Sequence, residues 1–262
     1  MLKINSNPKV DRSLLDTVLA YVRRDGPLTA PFCFLTIEDG GGLSDKELAT
    51  KADFHASFTE AGTWEPKAGE LREILKDSSA TVELGHLGIR VAKVMAGLCG
   101  IANYSEYILD HLYLRNEVNV KFFPISFPTY DGGNDSKRQP VEGYLGLSLG
   151  EYREVCRMLR PDRLLLRKDI FTPERFYVAT CSEWFDVLRR IFPNISYYDT
   201  YTHMENGKEA FKLYFDEGGV ARFAYFGLLS RSTSDKRIED FVTLVREYAD
   251  KGILARLQAK AI

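Results

Sequence analysis

Apolar positions fall at helical spacing in some stretches and in short continuous runs in others, and the two kinds alternate along most of the chain. Leu14, Leu15, Val18, Leu19 and Val22 make a stripe that predicts a helix over 11–25, ended by Gly26-Pro27. The run over 31–37 suits a strand buried on both faces. Residues 51–64 set Phe54, His55, Phe58 and Trp64 among polar neighbours. Thr63 with Pro66 opens a helix through 76, and Leu87, Val91, Val94 and Leu98 mark another over 83–98. A second apolar strand is predicted at 118–125 and a long loop at 130–146.

The second half repeats the alternation. Ser148-Leu149-Gly150-Glu151 has capping-box form and predicts a helix to 159, before Pro161. A strand at 176–180 leads through Thr180-x-x-Glu183 into a helix bearing Trp184, Leu188 and Ile191. Strands follow at 195–201, 211–215 and 220–226, the last two joined by Asp216-Glu217-Gly218-Gly219 as a hairpin. A final amphipathic helix carries Ile238, Phe241, Val245 and Tyr248. Without repeats or a composition shift, this order predicts one α/β domain over 1–262, its helix at 11–25 packed on the core, with a mostly parallel central sheet.

Composition narrows the classes. The chain has 262 residues, 45% hydrophobic and 27% charged, enough to bury a real core. Lys and Arg total 35 against 37 Asp and Glu, so any nucleic-acid surface must be a local patch. Cys33, Cys99, Cys156 and Cys181 lie far apart with no C-x-x-C, which argues against zinc or iron–sulfur sites and for reduced thiols. No apolar run approaches the roughly 18 residues of a membrane span, and no signal-peptide pattern opens the chain. A cytoplasmic monomer needing no cofactor or metal is expected.

The strand at 31–37 ends in Glu38-Asp39-Gly40-Gly41-Gly42, followed by Ser44-x-x-Glu47 at a helix start. Strand, acidic glycine turn and helix is how α/β proteins present reactive groups beyond the carboxyl end of a sheet. The same residues also suit a solvated surface turn. Two adjacent carboxylates and no Gly-x-Gly-x-x-Gly argue against a pyrophosphate-binding turn.

Three strand ends carry a resemblance. They are Thr36-Ile37-Glu38-Asp39-Gly40-Gly41, Val118-Asn119-Val120-Lys121-Phe122-Phe123-Pro124, and the loop Phe226-Gly227-Leu228-Leu229-Ser230-Arg231-Ser232-Thr233-Ser234. In this order and context the chain resembles a divergent member of the uracil-DNA glycosylase superfamily over 32–249. Thr36 stands at that family's first-motif glycine, Asp39 at its proline, and Ser230-Arg231-Ser232 where His-Pro-Ser is usual. The resemblance implies a three-layer α/β/α sandwich and DNA as partner. It also implies a DNA glycosylase that flips a modified or damaged base, expected to be a pyrimidine, and hydrolyses its bond to deoxyribose. Hypermodified bases such as glycosylated cytosine of phage DNA, as targets of anti-phage defence, fall within that expectation.

Glu38 matches the family's catalytic carboxylate, with Asp39 beside it; such a group stabilises the sugar cation and orients water. Asn119 can read a pyrimidine edge, because an amide offers both donor and acceptor. Phe54, Phe58 and Trp64 are candidates to stack on a flipped base, and His55 is a candidate site residue near them. Ser230, Arg231, Ser232, Ser234 and Lys236 suit phosphate contact before a helix N-terminus. Arg153, Arg157 and Arg160 form a second basic face at i, i+4, i+7, which suits either solvation or phosphate contact. A non-catalytic DNA- or nucleotide-binding protein of the same fold is the alternative.

Overall fold

The structure is a computed structural model that describes residues 9–37, 49–59, 63–64, 85–112, 115–125, 138–196, 200–227 and 233–257. It is a mixed α/β protein whose described residues divide into two compact units. One comprises 1–23, 37–63 and 121–168, the other 24–36, 64–120 and 169–262. The chain passes between them several times, so no linker marks the division.

The first unit is mainly helical. Helix α1 (Arg12–Ala20) starts on Asp11, whose side chain accepts from Leu14 N–H, and buries Leu14, Leu15, Val18 and Leu19. It packs against α2 (Lys51–Thr59), α5 (Arg138–Leu145) and α6 (Leu149–Leu165). The expected helix over 11–25 is therefore shorter, because the chain straightens at Tyr21 and residues 24–25 join a sheet instead. Helix α5 replaces part of the expected loop at 130–146. The Ser148–Glu151 capping box forms as read from the sequence. Helix α6 nevertheless runs through Pro161, which is buried, and forgoes one backbone bond there. Gly146 (φ +69°) lies so near the Lys9 carbonyl that a Cβ would collide with it.

The second unit holds the sheet, made of β1 (Arg24–Asp25), β2 (Phe32–Thr36), β3 (Thr63–Trp64), β4 (Glu117–Lys121), β5 (Phe176–Ala179), β6 (Thr200–Glu205), β7 (Lys208–Phe215) and β8 (Ala221–Tyr225), in the order β3-β1-β4-β2-β5-β8-β7-β6. β2 and β5 run parallel, as do β5 and β8. Phe32 N–H donates to Asn116 O and Phe123 N–H to Ile37 O, so β4 ascends with β2. The centre is thus parallel and the margins are antiparallel: β1 on β4, and the β6-β7-β8 meander. Asn206 (φ +52°) and Gly207 (φ +73°) make the tight turn between β6 and β7, an Asn-Gly hairpin signal.

Alternate strand residues face opposite helices. Phe32, Phe34, Phe176, Val178 and Leu213 pack against Val91, Met95 and Leu98 of α3 (Gly85–Cys99), Tyr107 and Ile108 of α4 (Tyr104–Asp110), and Phe241 and Val245 of α8 (Asp235–Tyr248). On the other face, Tyr177 and Phe223 meet Phe192, and Tyr214 and Tyr225 meet Phe185, around α7 (Phe185–Ile191). Helices therefore cover both faces of this sheet. A short helix α9 (Lys251–Ala255) ends the described chain. Among the described residues, no helix is long and apolar enough to cross a membrane.

Below this sheet lies a buried polar cluster. Glu117, fully buried, accepts a hydrogen bond from the Tyr107 hydroxyl, and the His111 ring lies tilted against Tyr107 with centroids 5.4 Å apart. His111 is only 3% exposed, and its Nδ1 has no hydrogen-bond partner among the described residues. Burial, and then nearby Arg115, holds its pKa below the ordinary value of a histidine. The unfolded chain therefore takes up a proton first as pH falls through about 6.5, so stability is full above that pH and declines below it. Urea midpoints measured between pH 7.5 and 5.5 are expected to fall with pH. His111→Phe, which keeps a ring beside Tyr107, is expected to flatten that dependence.

Candidate functional site

The strand order sets β2 between β4 and β5, with connections leaving to opposite sides. In doubly wound sheets the crevice beyond the carboxyl ends at such a point is where ligands bind. Thr36 closes β2 there, only 2% exposed. Its hydroxyl donates to Asn119 Oδ1 at 3.0 Å, with a weaker contact to Val120 O at 3.4 Å. Its carbonyl accepts from Trp184 Nε1 at 2.9 Å. Trp184, fully buried in the 3₁₀ turn Ser182–Trp184, thus ties the end of β2 to the segment after β5. Thr180 N–H donates to Leu35 O at 2.9 Å and Phe226 N–H to Ala179 O at 2.9 Å, extending the ladder past the strand ends.

The first two motif strands are therefore neighbours, joined side chain to side chain. Strand β8, which precedes the third motif in sequence, lies next to β5 and runs parallel to it. Glu38, Asp39, Ser230, Arg231 and Ser232 lie outside the described residues. Asn119 is 1% exposed, and its register partner on β1 is Asp25. With its oxygen engaged by Thr36, the amide NH2 is the group it can offer a ligand.

The remaining expected residues serve the fold visibly. Phe54 is fully buried between Phe58 and Tyr144, at centroid distances of 5.0 and 5.4 Å, and Phe58 also meets Tyr21 edge-on at 5.2 Å. Their ring faces are spent on the core of the helical unit, so base stacking by either would require unpacking that core. His55, on α2 beside them, is exposed. Ser234 caps α8: its hydroxyl accepts from Arg237 N–H at 3.1 Å and donates to Glu205 at 3.0 Å. Lys236 is exposed on the first turn.

Carboxylates already attend this helix start. Asp235 pairs with Lys93 at 2.6 Å and with Arg90 at 3.0 Å; the hydrogen bond from Lys93 chiefly holds its pKa below the usual carboxylate range. The Arg237 guanidinium does the same for Glu205. A phosphate on Ser234 would compete with Glu205 for the hydroxyl.

Sequence reasoning passed over residues at the ends of β5 and β8. Tyr225 meets Phe185 edge-on at 5.4 Å, and its hydroxyl lies 2.9 Å from where a Cβ on Gly227 would stand. Cys181 follows β5, and burial, then Glu183, pushes its thiol well above the ordinary value. The thiol is thus protonated and a poor nucleophile at neutral pH. The available signal was position alone, since these residues follow a predicted strand at the reactive edge. Among the described residues, no three His, Cys, Asp or Glu side chains converge as metal ligands.

Trp184→Phe keeps a ring but removes the donor to Thr36 O. A loss of about 2 kcal/mol by urea unfolding is expected, from the orphaned carbonyl and the smaller ring together. A change below about 0.5 kcal/mol would mean that the indole does not hold the end of β2.

Comparison with family models, with curated protein sequences and with solved structures finds no match to this chain.

Proposed function

We propose that this protein is a DNA glycosylase of the uracil-DNA glycosylase type that flips a modified or damaged base, a pyrimidine, and hydrolyses its glycosidic bond. The observation that carries the reading is the Thr36–Asn119 hydrogen bond, which sets the ends of the first two motif strands side by side. Strand β8, which precedes the third motif in sequence, runs parallel to β5 and ends on the same edge. On this reading Glu38, two residues beyond Thr36, approaches the sugar. Water adds to C1′, the C1′–N bond breaks with its electron pair leaving on the base, and the proton released from water ends on that base. Glu38 orients the water and stabilises the positive charge on the sugar. Asn119 donates through its amide to an acceptor on the base edge.

The binding-only alternative draws on a separate observation. Asn119 Oδ1 and the Ser234 hydroxyl both have partners inside the fold, as scaffold residues do.

Incubation with DNA containing uracil, and with phage DNA containing glycosylated cytosine, followed by alkaline cleavage, separates the two. Abasic sites are expected from the natural protein. Glu38→Gln is expected to lower their rate by at least about a hundredfold while DNA binding survives. Binding with no abasic product on any of these DNAs would favour the non-catalytic reading, and full activity in Glu38→Gln would remove Glu38 from the chemistry.

A further inference from the structure

The basic face of α6 falls in the helical unit and makes no part of the edge described above. Arg153 and Arg157 stand one turn apart, and both guanidinium carbons lie over the ring of Phe123, at 5.8 and 5.7 Å from its centroid. Phe123 is 1% exposed and is braced by Phe122 at 5.2 Å and Tyr152 at 6.4 Å. The Tyr152 hydroxyl in turn accepts from Ile125 N–H at 3.0 Å. The ring is therefore a fixed platform. Arg153 is half-buried and Arg157 exposed, so both can reach a ligand from outside.

Arg160, next on the same face, differs from the solvated residue a helical face suggests. It is wholly buried, donating to Leu19 O at 2.8 Å and Lys121 O at 3.3 Å, and its Nε has no hydrogen-bond partner among the described residues. The groups whose charge bears on it are the Cys156 thiol and the Tyr152 and Tyr21 phenols, none of them a carboxylate. Burial lowers its pKa. Lys121, whose carbonyl it holds, is also buried. Three arginines thus share one face of α6, with Lys121 at the strand end beside it.

We propose that Arg153 and Arg157, held over Phe123, form a contact site for a nucleic-acid phosphate. The choice of ligand rests on the DNA reading above. A guanidinium stacked on a ring keeps its planar fork oriented, and that fork matches two phosphate oxygens. The buried Arg160 adds field behind the pair without touching the ligand.

The test measures duplex-DNA binding across a salt series for the natural protein, Arg153→Ala, Arg157→Ala and Arg157→Lys, with pyrophosphate as a second probe by thermal shift. Each alanine variant is expected to reduce the slope of log K against log salt by about 0.9. Arg157→Lys is expected to keep the slope, since the charge stays, but to bind more weakly because the fork is lost. An unchanged slope in both alanine variants overturns the site and leaves the glycosylase reading standing. If the natural protein binds no DNA, that reading falls and pyrophosphate decides here. Stabilisation lost in Arg157→Ala sustains an anion site, and no stabilisation of the natural protein overturns it.

Discussion

A buried hydroxyl at the end of one strand and a buried amide on the next constrain the rest of this sheet edge. Thr36 and Asn119 are both almost fully buried, so each polar group must find a partner in the protein or carry an unmet desolvation penalty. They find one another across β2 and β4, and Trp184 completes the end of β2 through its carbonyl. The hydrogen bond ties the end of β2 to β4 side chain to side chain. A glycine at position 36 could make no such bond, so the strand end is pinned by a side chain.

Much of the architecture was legible because burial imposes periodicity. The run Phe32-Cys33-Phe34-Leu35 is a central strand covered on both faces, and the sequence shows that as unbroken hydrophobicity. The Ser148–Glu151 capping box and the Asp216–Gly219 hairpin are local chemistry and formed where they were read. What escaped the sequence was decided by distant partners. Arg24 and Asp25 continue a helical pattern, yet they pair with Val120 and Asn119 as a short antiparallel strand. Pro161 reads as a stop, but the helix passes it, with Arg160, Pro161 and Leu164 buried on a helix that packs against α1. The Asn206-Gly207 turn is a readable local signal and joins β6 to β7.

The candidate site was legible in part. The order of the strands along the chain follows from the alternation of strands and helices, but Asn119 sits next to Thr36 because β4 lies beside β2 in the sheet, which chain order alone does not dictate. Single aromatic residues were poor guides, because an aromatic near a motif packs into a core as readily as it faces a ligand. Phe54 and Phe58 took the core. The basic face of α6 was visible as spacing but not as environment: three arginines at one periodicity end in three settings, exposed, half-buried and fully buried. Only the packing of Phe123 and Tyr152 beneath them tells these apart.

The claim on which the account turns is that Thr36 and Asn119 act on each other. A double-mutant cycle with Thr36→Val, Asn119→Ala and the pair, read by urea unfolding, measures this directly. The account predicts a coupling energy of about 1 kcal/mol, the net worth of one buried hydrogen bond. Strictly additive losses, with no coupling, would contradict it.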